Sequence, residues 1–511
     1  MIKEFVEKIK NNEIDIVEHT HKVIQECKKI NKEYNYFNVI SEELAISQAN
    51  EIKKQLKQNN KNLKNKKLLG VAVSAKDAIC VKGVESTAGS RILKGYKPLF
   101  DATVIKRAVE QGAIIIGKTA QDEFGFGSFN VNVGLGFKVP KNPFDKARAC
   151  GGSSGGGAGI TQKTSFPHIA LGESTGGSIA APASFCGVFG LTPTYGRVSR
   201  YGLIDYGNSL DKIGTLGKNA YDAALLLEAI AGFDNNESTT INEPIEKYSE
   251  SINKKNIHEN QRFLGSSKTK GFRETGNAKH FPVHRKSEGF SRDFKIGIIK
   301  ETFKDIDKKV EKSVRYGIKK LEENNVKVEE VSLSLPIKYG LAAYYILATS
   351  EASTNLAKYC GMRYGTSEEL KGNFNEYFSN VRSKHLGTEA KRRIILGTFA
   401  RMSGYRDAYY IKALKVRSKI ADEYKKLFKK YDALVSPTMP ILPPKFSEIE
   451  KLSPLQNYMM DVMTVSPNLA GLPHLNIPVG FENKLPVGMM LTGDHLEESK
   501  LLQIGSLFDS Q

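Results

Sequence analysis

The chain has 511 residues, 40% apolar and 26% charged, an ordinary globular composition that excludes collagen-like and wholly disordered classes. Lys and Arg (75) outnumber Asp and Glu (56), giving a net charge of +19; such a field draws polyanions such as RNA, acidic proteins or a membrane surface, or serves solubility alone. Cys27, Cys80, Cys150, Cys186 and Cys360 show no C-x-x-C spacing, which argues against structural zinc and a disulfide framework.

In chain order, Ile2, Phe5, Val6 and Ile9 fall at helical spacing, and the acids among them are wrong for a signal peptide. No run approaches the roughly 18 apolar residues of a spanning helix, so a cytoplasmic protein without membrane contact is expected. Ser41 is placed to cap a helix presenting Leu44, Ala45, Ile52 and Leu56 on one face. Residues 1–66 thus read as a helical region and 67–511 as the main domain. The stretch 57–67 is almost entirely Lys, Asn and Gln, a linker. Short apolar runs follow at 68–74 and 113–116, and their alternation with helical patterns predicts an α/β class. Between 250 and 292 the pattern dissolves into a basic, Asn- and Ser-rich insert. Helical periodicity returns at 310–323 and through much of 341–430, with strand-like pieces at 433–437 and 475–478.

Residues 112–119, Gly-Ala-Ile-Ile-Ile-Gly-Lys-Thr, fit the phosphate-loop expression G-x-x-x-x-G-K-[ST]. Three consecutive isoleucines suit a buried strand better than a loop whose N–H groups converge on an anion. Residues 151–156, Gly-Gly-Ser-Ser-Gly-Gly, contain G-x-S-x-G, the expression of a hydrolase nucleophile elbow with His474 or His495 as partner. An elbow needs a strand entering it, however, and residues 142–148 read as turn. A loop without chemistry would explain this segment alone.

Two further segments change the balance. A second serine-bearing glycine cluster, Thr175-Gly-Gly-Ser178, follows closely, and Lys76 stands at the end of the apolar run 71–74. A serine hydroxyl needs a base, and a lysine kept neutral by burial serves as one, directly or through a second hydroxyl. With these three segments together the chain resembles the amidase signature family of Ser-cisSer-Lys hydrolases. That resemblance implies a mixed central β-sheet sandwiched by helices (α/β/α), with N-terminal helices packed alongside. It also implies Ser178 as nucleophile, Ser153 behind a non-proline cis peptide, Lys76 as base, an oxyanion hole of N–H groups from Thr175, Gly176, Gly177 and Ser178, and Ser154 as a supporting hydroxyl.

Residues 117–124, 185–203, 391–399 and 468–473 extend the likeness to the glutaminase branch of that family, found in the tRNA-dependent amidotransferases. This branch implies a glutaminase whose substrate is held by Tyr344, Arg393 and Asp461, which suits a free amino acid with one carboxylate and one ammonium. It implies B and C subunits as partners in a heterotrimer, misacylated tRNA reached through the complex, and ATP and Mg²⁺ in one of those partners, with no cofactor or metal in this chain. A stand-alone amidase for small or aromatic amides is the alternative. The chain departs from the family pattern at Ser174, Ala180 and Gly157, where Asp, Arg and Ser are common.

Overall fold

Ile114–Thr119, the segment that fits a phosphate loop, is a strand buried along its whole length. In the computed structural model, which describes residues 2–58, 61–252 and 294–509, it is β3 of one large mixed sheet. The others in chain order are β1 (Phe37–Ile40), β2 (Ala72–Lys76), β4 (His168–Ser174), β5 (Phe189–Thr192), β6 (Lys212–Gly217), β7 (Lys295–Ile299), β8 (Lys327–Val331), β9 (Ala433–Pro437), β10 (His474–Glu482) and β11 (Leu485–Gly493). The spatial order is β1-β3-β2-β4-β6-β5-β10-β11-β9-β7-β8. β2 runs parallel to both β3 and β4, while β4, β6, β5, β10, β11 and β9 pair antiparallel in turn. The central strands β2, β3, β4 and β6 are buried throughout, so between the polar residues near their ends, Lys76, Lys118, His168, Glu173 and Lys212, they read in sequence as small and apolar runs without alternation.

Helices Ile2–Lys10, Ile16–Tyr34 and Glu42–Lys57 form the N-terminal region, and the apolar stripe at Ile2, Phe5, Val6 and Ile9 is buried. The region also contributes β1, an edge strand paired with β3, which helical periodicity did not predict. Ser41 stands at the N-cap of Glu42–Lys57 but makes no side-chain cap bond; its hydroxyl donates to Ile115 O at 2.9 Å instead, tying the helix to β3. Asp15, by contrast, caps its helix through the N–H groups of Val17 and Glu18, the usual way of satisfying orphaned donors. Most of the basic insert lies outside the described residues. Among the described residues, no helix is long and apolar enough to cross a membrane.

The glycine-rich segment becomes a helix only from Gly155, running to Lys163. Its glycines are required by close approach: a Cβ on Gly159 would lie 2.2 Å from the Tyr36 ring, and one on Gly156 would lie 2.6 Å from the carbonyl oxygens of Ala120 and Tyr36. Gly159→Ala is therefore expected to lose about 1–3 kcal/mol of stability, despite the better helix propensity of alanine. A denaturant midpoint equal to the parent's would show that Tyr36 yields freely.

Candidate active site

Because β2 and β4 are parallel neighbours, with Ala75 opposite Leu171, their C-terminal ends open at the same edge, where α/β sheets place their ligands. Lys76 is the last residue of β2 and is completely buried. The chain leaving β4 at Ser174 carries Thr175 to Ser178 before entering the helix Ala180–Cys186. The loop holding Ser153 reaches the same place, and its Gly152–Ser153 peptide is cis. Lys76 Nζ donates to Ser153 Oγ at 2.7 Å and to the Glu173 carbonyl at 2.9 Å. It also donates to Glu173 Oε2 at 2.7 Å, a contact that motif reading did not foresee.

Ser178 is 7% exposed. Its carbonyl accepts from Ser154 N at 3.1 Å, which ties the two serine loops together, and Ser154 Oγ donates to Glu173 O at 3.1 Å. Among the described residues the Ser178 hydroxyl has no hydrogen-bond partner, so its link to Ser153 is not closed; catalytic hydrogen bonds often tighten only when substrate is bound. Likewise, none of the backbone N–H groups of Thr175, Gly176, Gly177 and Ser178 donates to another described residue. Four undonated N–H groups in the loop that ends at the Ser178 hydroxyl have the chemistry to receive an oxyanion. The glycines let the loop pass close to its neighbours: a Cβ on Gly177 would lie 2.2 Å from Thr464 Oγ1, and one on Gly176 would lie 2.5 Å from the Tyr344 hydroxyl. Asn468 Nδ2 fixes the loop further by donating to Gly176 O at 2.8 Å.

The three residues implied for substrate binding come from separate segments. Tyr344 lies on the helix Ser334–Asn355 and Arg393 on Thr388–Arg401, while Asp461 follows the short helix Pro454–Met459. Arg393 is 3% exposed, so the charge run 391–393 is not a solvated face at this position. Its guanidinium lies 5.2–5.8 Å from the ring centroids of Phe126, Tyr206, Tyr345 and Tyr458. Nε donates to Glu389 at 2.8 Å and Nη1 to the Tyr206 hydroxyl at 2.6 Å. Of five guanidinium N–H groups, those two are used within the described residues. The remainder can fork onto a carboxylate.

Asp461 accepts from the Tyr345 hydroxyl at 2.6 Å, and burial raises its carboxyl above the ordinary range. Tyr345 was missed in the sequence, although its neighbour Tyr344 was singled out; the helix places Tyr344 against Gly176 and Tyr345 against Asp461. A cavity of about 280 Å³ lies against Ser128, Phe129, Arg393, Asn457 and Tyr458. That suits a small ligand, and Arg393 forms part of its wall.

Other motif residues lie elsewhere. Lys118, the lysine of the phosphate-loop expression, donates to Asp77 O at 3.1 Å and Ser86 Oγ at 2.6 Å inside the core. His474 is buried on β10, its Nδ1 3.3 Å from Leu472 O, and His495 Nε2 lies 3.2 Å from Ala470 O. Neither contacts Ser153 or Ser178. No group of three or more His, Cys, Asp and Glu side chains able to hold a metal occurs among the described residues.

The amidase family model matches residues 18–502. The chain belongs to the amidase family. It is 41% identical over 504 residues to the A subunit of glutamyl-tRNA(Gln) amidotransferase from Sulfolobus acidocaldarius, covering 99% of this chain and 96% of that one. It is 43% identical over 444 residues to the protein of the same description from Halothermothrix orenii, covering 86% and 84%. Among solved structures it is similar to the crystal structure of the glutamyl-tRNA(Gln) amidotransferase A subunit from Thermotoga maritima, at 33% identity, TM-score 0.70 and coverage of 96% and 91%. A bacterial aryl acylamidase of the amidase signature family, at 19% identity and TM-score 0.78 over 99% and 95% of the chains, shares the fold. The mixed sheet with its covering helices is the amidase signature fold that the glycine-serine loops imply.

Proposed function

We propose that this chain is the glutamine-hydrolysing component of a tRNA-dependent amidotransferase. Full-length similarity to the A subunits of glutamyl-tRNA(Gln) amidotransferases favours this over a stand-alone amidase. The observation that carries the substrate is the buried Arg393–Asp461 arrangement: a guanidinium with free N–H groups and a carboxylate share a ring, Tyr345. A free α-amino acid presents the complementary charges, whereas a lipid or aryl amide would be served by apolar walls.

In the reaction, the Ser178 proton passes to Ser153 as the proton of Ser153 passes to an unprotonated Lys76. Ser178 Oγ attacks the side-chain amide carbon of glutamine, and the oxyanion is received by the N–H groups of Thr175 to Ser178. The proton held on Lys76 returns by the same route to the leaving nitrogen, and ammonia departs from a γ-glutamyl ester. Water then hydrolyses the ester to glutamate, with Lys76 and Ser153 again moving the proton. The ammonia goes to B and C partner subunits that bind ATP, Mg²⁺ and misacylated tRNA in the cytoplasm, so this chain supplies nitrogen and needs no cofactor of its own.

The test is ammonia release from glutamine by the chain purified with its partner subunits, ATP and charged tRNA, beside a Ser178→Ala control. Release that disappears in the control is expected. No release from an intact complex with correctly charged tRNA would return the assignment to a stand-alone amidase.

A further inference from the structure

The base of this site is not a solitary lysine. Lys76 Nζ donates at 2.7 Å both to Ser153 Oγ and to Glu173 Oε2, with Lys76 wholly buried and Glu173 4% exposed. The other carboxylate oxygen, Glu173 Oε1, lies 2.8 Å from Thr175 Oγ1, and that hydroxyl lies 2.7 Å from Asp211 Oδ1. A threonine hydroxyl has one proton to donate, so of the two carboxyl groups on either side of it one carries a proton. Burial, followed by the charge of Glu173, pushes the Asp211 carboxyl well above its ordinary range, against the pull of the Thr175 hydroxyl and of the Gly207 and Tyr206 N–H groups that donate to it. With the proton on Asp211, Thr175 donates to Glu173 Oε1 while Glu173 Oε2 accepts from Lys76.

We propose that Glu173 is a positioning residue for the base: its carboxylate holds Lys76 Nζ against Ser153 and sets the pH at which Ser178 becomes nucleophilic. An opposite charge in direct contact, away from water, favours the ammonium form. The carboxylate therefore moves the onset of nucleophilicity to higher pH than a neutral acceptor in its place. Thr175 links the two halves of the site, because its hydroxyl anchors Glu173 while its N–H belongs to the loop beside Ser178. The other ionisable groups around the pair are Asp211, Tyr206, whose ring lies with Glu173 Oε2 about Gly125, and Asp122, whose carboxyl burial raises to about 7 against the opposing pull of two hydrogen-bonded backbone N–H groups, Lys76 and Arg393. All three remain when Glu173 alone is changed.

The inference rests on the serine-hydrolase reading of the site but not on the identity of the amide, so its test uses a probe other than glutamine. Phenylmethanesulfonyl fluoride forms a bond from an activated serine oxygen to its sulfur and loses fluoride. The rate of Ser178 labelling, read by mass spectrometry in the purified complex across pH, reports the base directly. Glu173→Gln is expected to lower the pH midpoint of labelling by about one unit or more. Glu173→Ala, a second neutral variant for use where Gln does not fold, shifts it the same way, and Glu173→Asp keeps the parent midpoint. A smaller shift in the neutral variants, an upward shift, or an Asp variant that behaves like Gln overturns the proposal. Absence of labelling in the parent at every pH overturns the serine reading and this inference with it. Labelling that shifts as expected in a complex that releases no ammonia overturns the glutaminase reading alone.

Discussion

Replacing Ser178 by alanine is expected to lower glutamine-dependent ammonia release by roughly 10⁴-fold or more, as in serine hydrolases stripped of their nucleophile. Ser178 makes no side-chain hydrogen bond within the described residues, so little stability depends on its hydroxyl, and thermal unfolding is expected to match the parent's. Lys76→Ala removes activity to a similar degree. It also leaves Glu173 buried without its cation, a loss of about 3–5 kcal/mol of stability. Because the two residues act as a unit, the double variant is expected to be no slower than the worse single one. Rate losses that multiply in the double variant would mean that Lys76 and Ser178 act independently, and single-turnover ammonia release decides between these outcomes.

The second large effect concerns Arg393. Truncation to alanine removes the donors that face the cavity, with an expected rise in the glutamine KM on the order of 10²-fold. Since the same change strips Glu389 of its 2.8 Å partner, lost stability has to be separated from lost binding. Arg393→Lys provides that control: it keeps the charge near Glu389 but loses the planar fork. A KM that rises in the lysine variant with kcat near the parent's assigns the fork to the substrate carboxylate. An unchanged KM would move that carboxylate elsewhere. At Asp461, whose carboxyl is raised by burial, the ionised form needed to hold an ammonium is lost as pH falls, earlier than for an exposed aspartate. Glutamine KM is therefore expected to rise on the acid side in the parent, and to be high and nearly pH-independent in Asp461→Asn.

The amino-acid sequence by itself determined the class of fold and pointed to the segments that the structure brings together around Lys76. An isoleucine run bounded by glycine suits a buried strand better than a phosphate loop, and β3 is one. A stretch as poor in side chains as Gly151–Gly159 has to lie against other backbone, and its glycines do pack on Tyr36 and Ala120. Residues such as Lys76 and the serines were legible because their chemistry is unusual at strand ends and in glycine loops, and because local spacing carries the family resemblance.

What the tertiary structure alone decided is which side chains meet across long stretches of sequence. Glu173 precedes the Thr175–Ser178 loop and looks like an ordinary strand-end acid until β2 and β4 align and bring Lys76 to it. Nothing in the doublet Tyr344-Tyr345 says which ring faces Asp461, because that depends on the rotation of a 22-residue helix against its neighbours. Arg393 reads as one of three surface cations in sequence; packing of its helix against Phe126, Tyr206 and Tyr458 turns that one position inward and leaves Arg392 partly exposed. Local propensity and periodicity act over a few residues and are written into the chain. Desolvation and the pairing of buried charges arise only where distant segments close on one another, and at this site they govern which groups carry protons.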